Sequence, residues 1–186
     1  MTVGGRTVSS EVDLDAGERS SSVALGLGEW ICGPDGEGAE EWVIYGLGSC
    51  IGLILTERER RVSAMAHIVL PTSSGARVEQ PAKYADTAVP TMHSALIDLG
   101  ASEAKIVAYV VGGARILKFG GVGDIGRRNT ERVREVLRTR AIPVVAECVG
   151  GTAGRTLRWK RREGIAVVSR VGQKEEVLTS LSCRRG

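Results

Sequence analysis

Two residues in the first half of the chain, Cys50 and His67, could act together as a thiol nucleophile and its base. Cys50 closes the glycine-rich segment Gly-Leu-Gly-Ser-Cys at 46–50, and His67 ends the apolar segment Ala-Met-Ala-His at 64–67. An imidazole beside a thiol can take its proton, and the resulting thiolate is the competent nucleophile. The two segments therefore suggest covalent acyl-transfer chemistry.

The residues before the cysteine suit the same chemistry. A turn that contains Gly46 and Gly48 can adopt positive φ and leave backbone N–H groups near the sulfur. Such groups stabilise the oxyanion that forms when a thiolate attacks a carbonyl. Gly46, Gly48 and Ser49 are therefore the candidate supporting turn and oxyanion hole.

A β-hairpin would bring Cys50 and His67 together. Residues 50–55 and 62–70 are apolar strand patterns, and the charged run 57–61 separates them. With Arg58 and Glu59 at the tip, or with a four-residue loop at 57–60, Cys50 lies directly opposite His67 on one face. Their β-carbons would then be about 4.5–5.5 Å apart.

The other cysteines and the second histidine fit structural roles. Free cysteine usually behaves as a small buried hydrophobe, and this description suits Cys32, Cys148 and Cys183. His93 falls within a predicted helix and has no nucleophile in its local pattern. The pairing with a histidine is what distinguishes Cys50.

Composition limits the function classes. The 186 residues suit one domain, and the formal net charge of +3 is too small to imply nucleic-acid binding. The four cysteines show no C-x-x-C spacing and no metal-ligand pattern with the two histidines, which argues against structural zinc. Acyl transfer through a thiol calls for no metal or organic cofactor, so we expect neither. The cysteine usage fits a reduced, cytoplasmic compartment best. We expect no membrane insertion, because apolar runs are short and no targeting signal is recognisable.

The polar ends of the chain lack periodicity. We therefore expect a disordered N-terminal arm at 1–22, a single domain at 23–178 and a C-terminal tail at 179–186. Besides the hairpin, the patterns predict strands at 23–32, 42–45, 105–111, 143–149, 155–160 and 165–171, and helices at 82–99 and from about 129 to 140. The strand at 105–111 should be central and covered on both faces.

Two details of the helices and one of a loop follow from the same patterns. The first helix should end at Gly100 and bury Leu99 with three other apolar residues, Val89, Met92 and Leu96. Asn129 should be the N-cap of the second helix. The segment 121–126 matches G-x-G-x-x-G, but no convincing strand precedes it, so a plain loop is favoured over a dinucleotide site.

Six separated segments resemble one known family, the chemoreceptor glutamine deamidases called CheD. They run in family order and lie at 46–50, 64–71, 83–88, 112–114, 125–129, and 150–151 with 154–155. The resemblance implies an α+β fold of stacked mixed β-sheets with flanking helices, similar to cysteine-dependent toxin deamidases. It also implies hydrolysis of glutamine amides in chemoreceptor cytoplasmic domains and, in some members, partnership with a CheC-type phosphatase.

The resemblance also assigns roles to individual residues. The family's nucleophilic cysteine falls on Cys50 and its histidine on His67. The family's threonine, six positions before the cysteine, is replaced by Ile44, which cannot form a hydrogen bond with a histidine. Tyr45 and Ser49 are the nearby polar candidates for a substitute.

Two other functions remain open at this point. One is a catalytically weak docking protein that regulates a CheC-type phosphatase, which the departure at Ile44 favours. Retention of Cys50, His67 and the glycine turn argues against it. The other, a papain-type peptidase, is disfavoured by the order and close spacing of Cys50 and His67 and by the absence of that family's local signatures.

Overall fold

The computed structural model describes residues 21–75, 78–115, 124–170 and 172–179. Most of the predicted arm 1–22 and of the predicted tail 179–186, which contains Cys183, lies outside the described residues. The last residue of that arm, Ser22, begins the first strand.

The described part of the chain contains ten strands in two five-stranded sheets. The first sheet has the order β1-β3-β8-β9-β10. Its strands are β1 (Ser22–Ala24), β3 (Glu41–Leu47), β8 (Arg155–Lys160), β9 (Ile165–Arg170) and β10 (Glu176–Val177). β1 and β3 are parallel, and the other neighbours are antiparallel.

The second sheet contains the predicted hairpin and has the order β2-β5-β4-β6-β7. Its strands are β2 (Trp30–Pro34), β4 (Ile51–Glu57), β5 (Val62–Ile68), β6 (Val107–Gly112) and β7 (Val144–Val149). β6 and β7 are parallel, whereas the other pairs are antiparallel. The strand expected to be central is β6, which lies inside the sheet between β4 and β7 and is almost fully buried.

Two helices, α1 (Ala85–Asp98) and α2 (Ile125–Thr139), cover one face of the second sheet. Single 3-10 turns lie at Pro81–Lys83 and Glu103–Lys105. One apolar cluster fills the space between this sheet and the helices, and a second fills the space between the two sheets. Strands β4, β5 and β6 lie between both clusters, which explains why their sequences are apolar on both faces. The predicted α+β fold of stacked mixed sheets with flanking helices is confirmed.

The segment predicted as one strand at 23–32 is two strands in different sheets. Gly28 has φ 73° and lies in the turn between β1 and β2. This turn carries the chain from one sheet to the other, which a run of apolar residues alone does not reveal. The segment then wraps around the end of β5, because His67 accepts a hydrogen bond from Gly28 N–H through its carbonyl and donates one to the Glu29 carbonyl.

Two helix predictions, and the described part of one loop prediction, were wrong in detail. Leu99 is 41% exposed because α1 ends one residue earlier, although Gly100 has the expected positive φ of 86°. Asn129 is not an N-cap but lies inside α2, since Asp124 caps the helix by accepting a hydrogen bond from Arg127 N–H at 3.1 Å. The G-x-G-x-x-G segment is described only from Asp124, and its last two residues form the first turn of α2 rather than a loop.

Candidate active site

The predicted hairpin exists, but its register differs by two residues from the prediction. Its loop contains four residues, 58–61, and Glu57 pairs with Val62. Glu57 stays in the strand because its buried carboxylate accepts a hydrogen bond from Glu59 N–H at 2.8 Å, while Arg61 closes the loop with φ 54°.

Gly52, and not Cys50, is therefore directly opposite His67. A shift of two residues keeps the same side chains on the same face. Cys50, just before β4, packs against the cluster between the sheets, and His67 occupies the same side of β5 as Met65 of that cluster. The structure thus places Cys50 diagonal to His67, and regular diagonal neighbours are about 7–8 Å apart at their α-carbons.

The turn that carries Cys50 begins where β3 ends. Gly46 has φ 66°, in the region that favours glycine, and the pairing of β3 with β8 is irregular between Ile44 and Leu47. Residues 48–50 form the bend that leads into β4. Leu47 is fully buried and fixes the start of the turn in the cluster between the sheets.

The end of β6 holds the other side of this turn. Gly113 N–H donates to the Cys50 carbonyl at 2.8 Å, and Ala114 N–H donates to the Gly48 carbonyl at 2.7 Å. Gly112 has φ 118°, and a β-carbon at that position would lie 2.1 Å from the Cys50 carbonyl oxygen. Only glycine permits this approach. The sequence identified 112–114 as a family segment without indicating this role.

His67 is 5% exposed and is held mainly by backbone groups. Its Nδ1 lies 3.4 Å from the Leu25 carbonyl oxygen, a long hydrogen bond in which the ring N–H donates. That tautomer leaves a lone pair on Nε2, the nitrogen suited to act as a base. Among the described residues, Nε2 is buried and has no hydrogen-bond partner.

Ile44 occupies the position of the family threonine and is fully buried. Its Cδ1 lies 3.4 Å from the place that a β-carbon on Gly52 would take, so its side chain reaches the register position opposite His67. Tyr45 is 54% exposed, and its ring contacts the Arg158 guanidinium. The contact at His67 Nδ1 comes instead from the Leu25 carbonyl, a backbone group that has no sequence signature.

Burial favours the neutral forms of both candidate groups. It raises the pKa of the Cys50 thiol, and the residue's own backbone N–H opposes only part of that rise. Burial also lowers the pKa of His67, while the Leu25 carbonyl and the Glu29 carboxylate partly oppose that change. The free protein therefore favours a thiol and a neutral imidazole over a preformed ion pair.

The other candidate residues lie away from this site or outside the described residues. Burial raises the pKa of Cys32 in β2 to about 12, and Cys148 is fully buried between the sheets. His93 is buried in α1, and its Nε2 lies 3.4 Å from a Glu103 carboxylate oxygen. In residues 21–179, apart from the gaps given above, no three His, Cys, Asp or Glu side chains are grouped to hold a metal ion. The described helices include none long and apolar enough to cross a membrane.

Comparison with known proteins gives a consistent result. The family described as "CheD chemotactic sensory transduction" matches residues 69–170. The "Probable chemoreceptor glutamine deamidase CheD" of Symbiobacterium thermophilum is 46% identical over 162 residues, which are 83% of this chain and 96% of the relative. A match of that extent necessarily includes residues 50–67.

Two further relatives carry the same activity in their names. The "Chemoreceptor glutamine deamidase CheD" of Halalkalibacterium halodurans is 41% identical and covers 70% of this chain and 85% of its own length. The protein of the same name from Thermotoga maritima is 37% identical and covers 73% of this chain and 85% of its own length. With relatives that are 37–46% identical and cover at least 70% of it, the chain belongs to the CheD family.

Proposed function

We propose that this protein is a chemoreceptor glutamine deamidase in which Cys50 is the nucleophile and His67 is the base. The observation that supports the proposal most is the hairpin register, which puts Cys50 diagonal to His67 on one face, next to the bend at 48–50. Nε2 of His67 is buried and has no hydrogen-bond partner among the described residues, so it is free to accept a proton. The relatives' names supply the substrate class, protein glutamine in chemoreceptors.

The reaction begins with proton transfer, since burial favours the neutral forms of both groups. His67 takes the Cys50 proton as the sulfur attacks the carboxamide carbon of a receptor glutamine. A backbone N–H of Gly48 or Ser49 in the bend, or of Gly46 near the end of β3, would stabilise the oxyanion. The imidazolium then returns its proton to the leaving nitrogen, and ammonia departs.

Water completes the cycle. It attacks the thioester with His67 again as general base, and the products are glutamate and the free Cys50 thiol. The imidazole acts twice in each turnover, which requires that it stay neutral between steps. The lowered pKa of His67 serves this requirement.

The Leu25 carbonyl supports this proposal despite the loss of the family threonine. A hydrogen bond from His67 Nδ1–H fixes both the tautomer and the ring plane, which is the task expected of the missing hydroxyl. The alternative, a catalytically weak docking protein for a CheC-type phosphatase, draws its support from Ile44 alone. We favour the enzyme, acting in the cytoplasm on receptor cytoplasmic domains, with a CheC-type phosphatase as a further partner.

Mass spectrometry of receptor cytoplasmic peptides tests the proposal. We expect wild-type protein to convert selected glutamines to glutamates, which is seen as the mass change of an amide becoming an acid. Cys50→Ala should abolish the conversion, while Cys32→Ala, which removes another partly buried thiol, should retain it. Full activity in Cys50→Ala, or none in wild type, would refute the assignment.

A further inference from the structure

We infer that Asn129 is a positioning residue that fixes the nucleophile turn against the strand of the catalytic histidine. This inference rests on the proposed roles of Cys50 and His67. Asn129 is fully buried in the second turn of α2. Its side-chain amide donates to the Ser49 carbonyl and to the Val69 carbonyl, each at 2.9 Å.

These two carbonyls lie where the β4–β5 ladder stops. The last paired residues at that end are Ile51 and Ile68. Ser49 lies just beyond the ladder on one strand and Val69 on the other, so no backbone pairing holds these positions together. The side-chain amide of Asn129 links these two positions instead. The link lies one residue before Cys50 and two residues after His67.

The chemistry of the contact requires this residue type. Two carbonyl oxygens cannot hydrogen-bond one another, so a bridge between them needs two N–H donors on one group. A neutral primary amide supplies both donors without burying a charge. Aspartate has nearly the same shape but, when ionised, only acceptors, and it would face both carbonyls with like partial charge.

Close packing of α2 on the end of β6 makes the bridge rigid. A β-carbon on Gly126 would lie 2.6 Å from the Gly113 carbonyl oxygen, so the first turn of α2 touches this backbone. Gly113 in turn donates to the Cys50 carbonyl. Val69 is held on its other side by its N–H, which donates to the Lys83 carbonyl. Asn129 therefore joins two segments that are each already fixed, and their separation sets the distance from Cys50 to His67.

Variants of Asn129 test this inference on the full chain. We expect Asn129→Asp and Asn129→Ala to lower kcat for glutamine deamidation about 10- to 100-fold with KM changed less than about threefold, because a displacement of about 1 Å at reacting groups has that effect. The matched control is Val133→Ala, which destabilises the same helix through its buried face but removes no hydrogen-bond donor from either carbonyl. Even where its thermal stability is as low as that of an Asn129 variant, Val133→Ala should keep kcat within about twofold of wild type.

The outcomes separate this inference from the proposed function. Suppose that the wild type is active. If the folded Asn129 variants then keep the wild-type kcat, or if Val133→Ala loses as much kcat as they do, the positioning role alone is overturned. An inactive wild type would overturn the proposed function and this inference with it.

A measurement on wild type covers the case in which the variants do not fold. Asn129 is the single asparagine of the chain, so asparagine labelled with ¹⁵N at the side chain gives one amide pair in an NMR spectrum. We expect both of its protons to exchange with solvent at least tenfold more slowly than those of a free amide, since both are buried and hydrogen-bonded. Rapid exchange of either proton would overturn the bridge.

Discussion

Replacing Gly112 by alanine should damage the nucleophile turn more than any exposed glycine substitution. Two effects combine at this position. The residue has φ 118°, where a side chain is strained, and the new β-carbon would lie 2.1 Å from the Cys50 carbonyl oxygen. Real contacts of this kind start at about 3.0 Å, so one of the two groups must move by roughly 1 Å.

The size of the effect follows from these two terms. A left-handed backbone costs about 1–2 kcal/mol for alanine relative to glycine. Forcing an atom into packed backbone adds about 1–3 kcal/mol. We therefore expect the free energy of unfolding to fall by about 2–5 kcal/mol. Because the Cys50 carbonyl is the group displaced, kcat should also fall on the order of 100-fold in protein that remains folded.

Gly164→Ala is the matched control. Gly164 also has positive φ, at 65°, but a β-carbon there would meet nothing within 4 Å. The free energy of unfolding of Gly164→Ala should fall only by the backbone strain of about 1–2 kcal/mol, and its kcat should stay at the wild-type value. Urea unfolding and the deamidation rate, measured on both variants, check the difference. Equal losses of stability, or a folded Gly112→Ala protein with normal kcat, would refute the steric argument.

Three further expectations concern protons and orientation at the site. Ile44→Thr should change kcat less than about threefold, because the Leu25 carbonyl already holds His67. It should lower the free energy of unfolding by about 1–3 kcal/mol, because it places a hydroxyl between the sheets. A large increase in kcat would contradict the role of that carbonyl. Iodoacetamide should alkylate Cys50 faster than Cys32 at pH 8, because burial raises the pKa of Cys32 to about 12. The alkylation rate of Cys50 should still rise above pH 9, because burial raises its pKa as well. Equal rates for the two cysteines would contradict this. Glu29→Gln should shift the acidic limb of kcat/KM to lower pH, because the carboxylate opposes the fall in the pKa of His67; an unchanged or upward shift would count against that interaction.

Protonation of His67 also links the site to stability. Its folded pKa is below the unfolded value of 6.5, so as pH falls below 6.5 the unfolded chain binds the proton first. This histidine therefore makes the fold less stable as pH falls from 6.5 toward its folded pKa. The loss should be absent in His67→Ala, as pH-dependent urea unfolding would show.

The apolar patterns predicted most strands and both helices. The signal was clear for β4, β5 and β6, because these strands are buried on both faces. They could not set the hairpin register. That depended on Glu57, a charged residue that stays buried in the strand because its carboxylate caps the loop. In a run of alternating charges, no sequence rule distinguishes this glutamate from Glu59.

The supporting groups of the site were harder to find for a different reason. Asp124 and Asn129 are both good N-cap residues, and choosing the second as the cap hid its contact with Ser49 and Val69. The Leu25 carbonyl lies 42 positions from His67 and belongs to the backbone. Residue type therefore indicated the candidate nucleophile and base, whereas tertiary contacts determine what holds them.

The isoleucine at position 44 has a physical consequence beyond the loss of a hydroxyl. Its side chain, with those of Leu47 and Leu157, fills the space above Gly52, which directly faces His67. This apolar cover contributes to the burial that lowers the pKa of His67. A residue that cannot orient the imidazole thus helps to keep it unprotonated, the form in which the proposed mechanism needs it to accept the Cys50 proton.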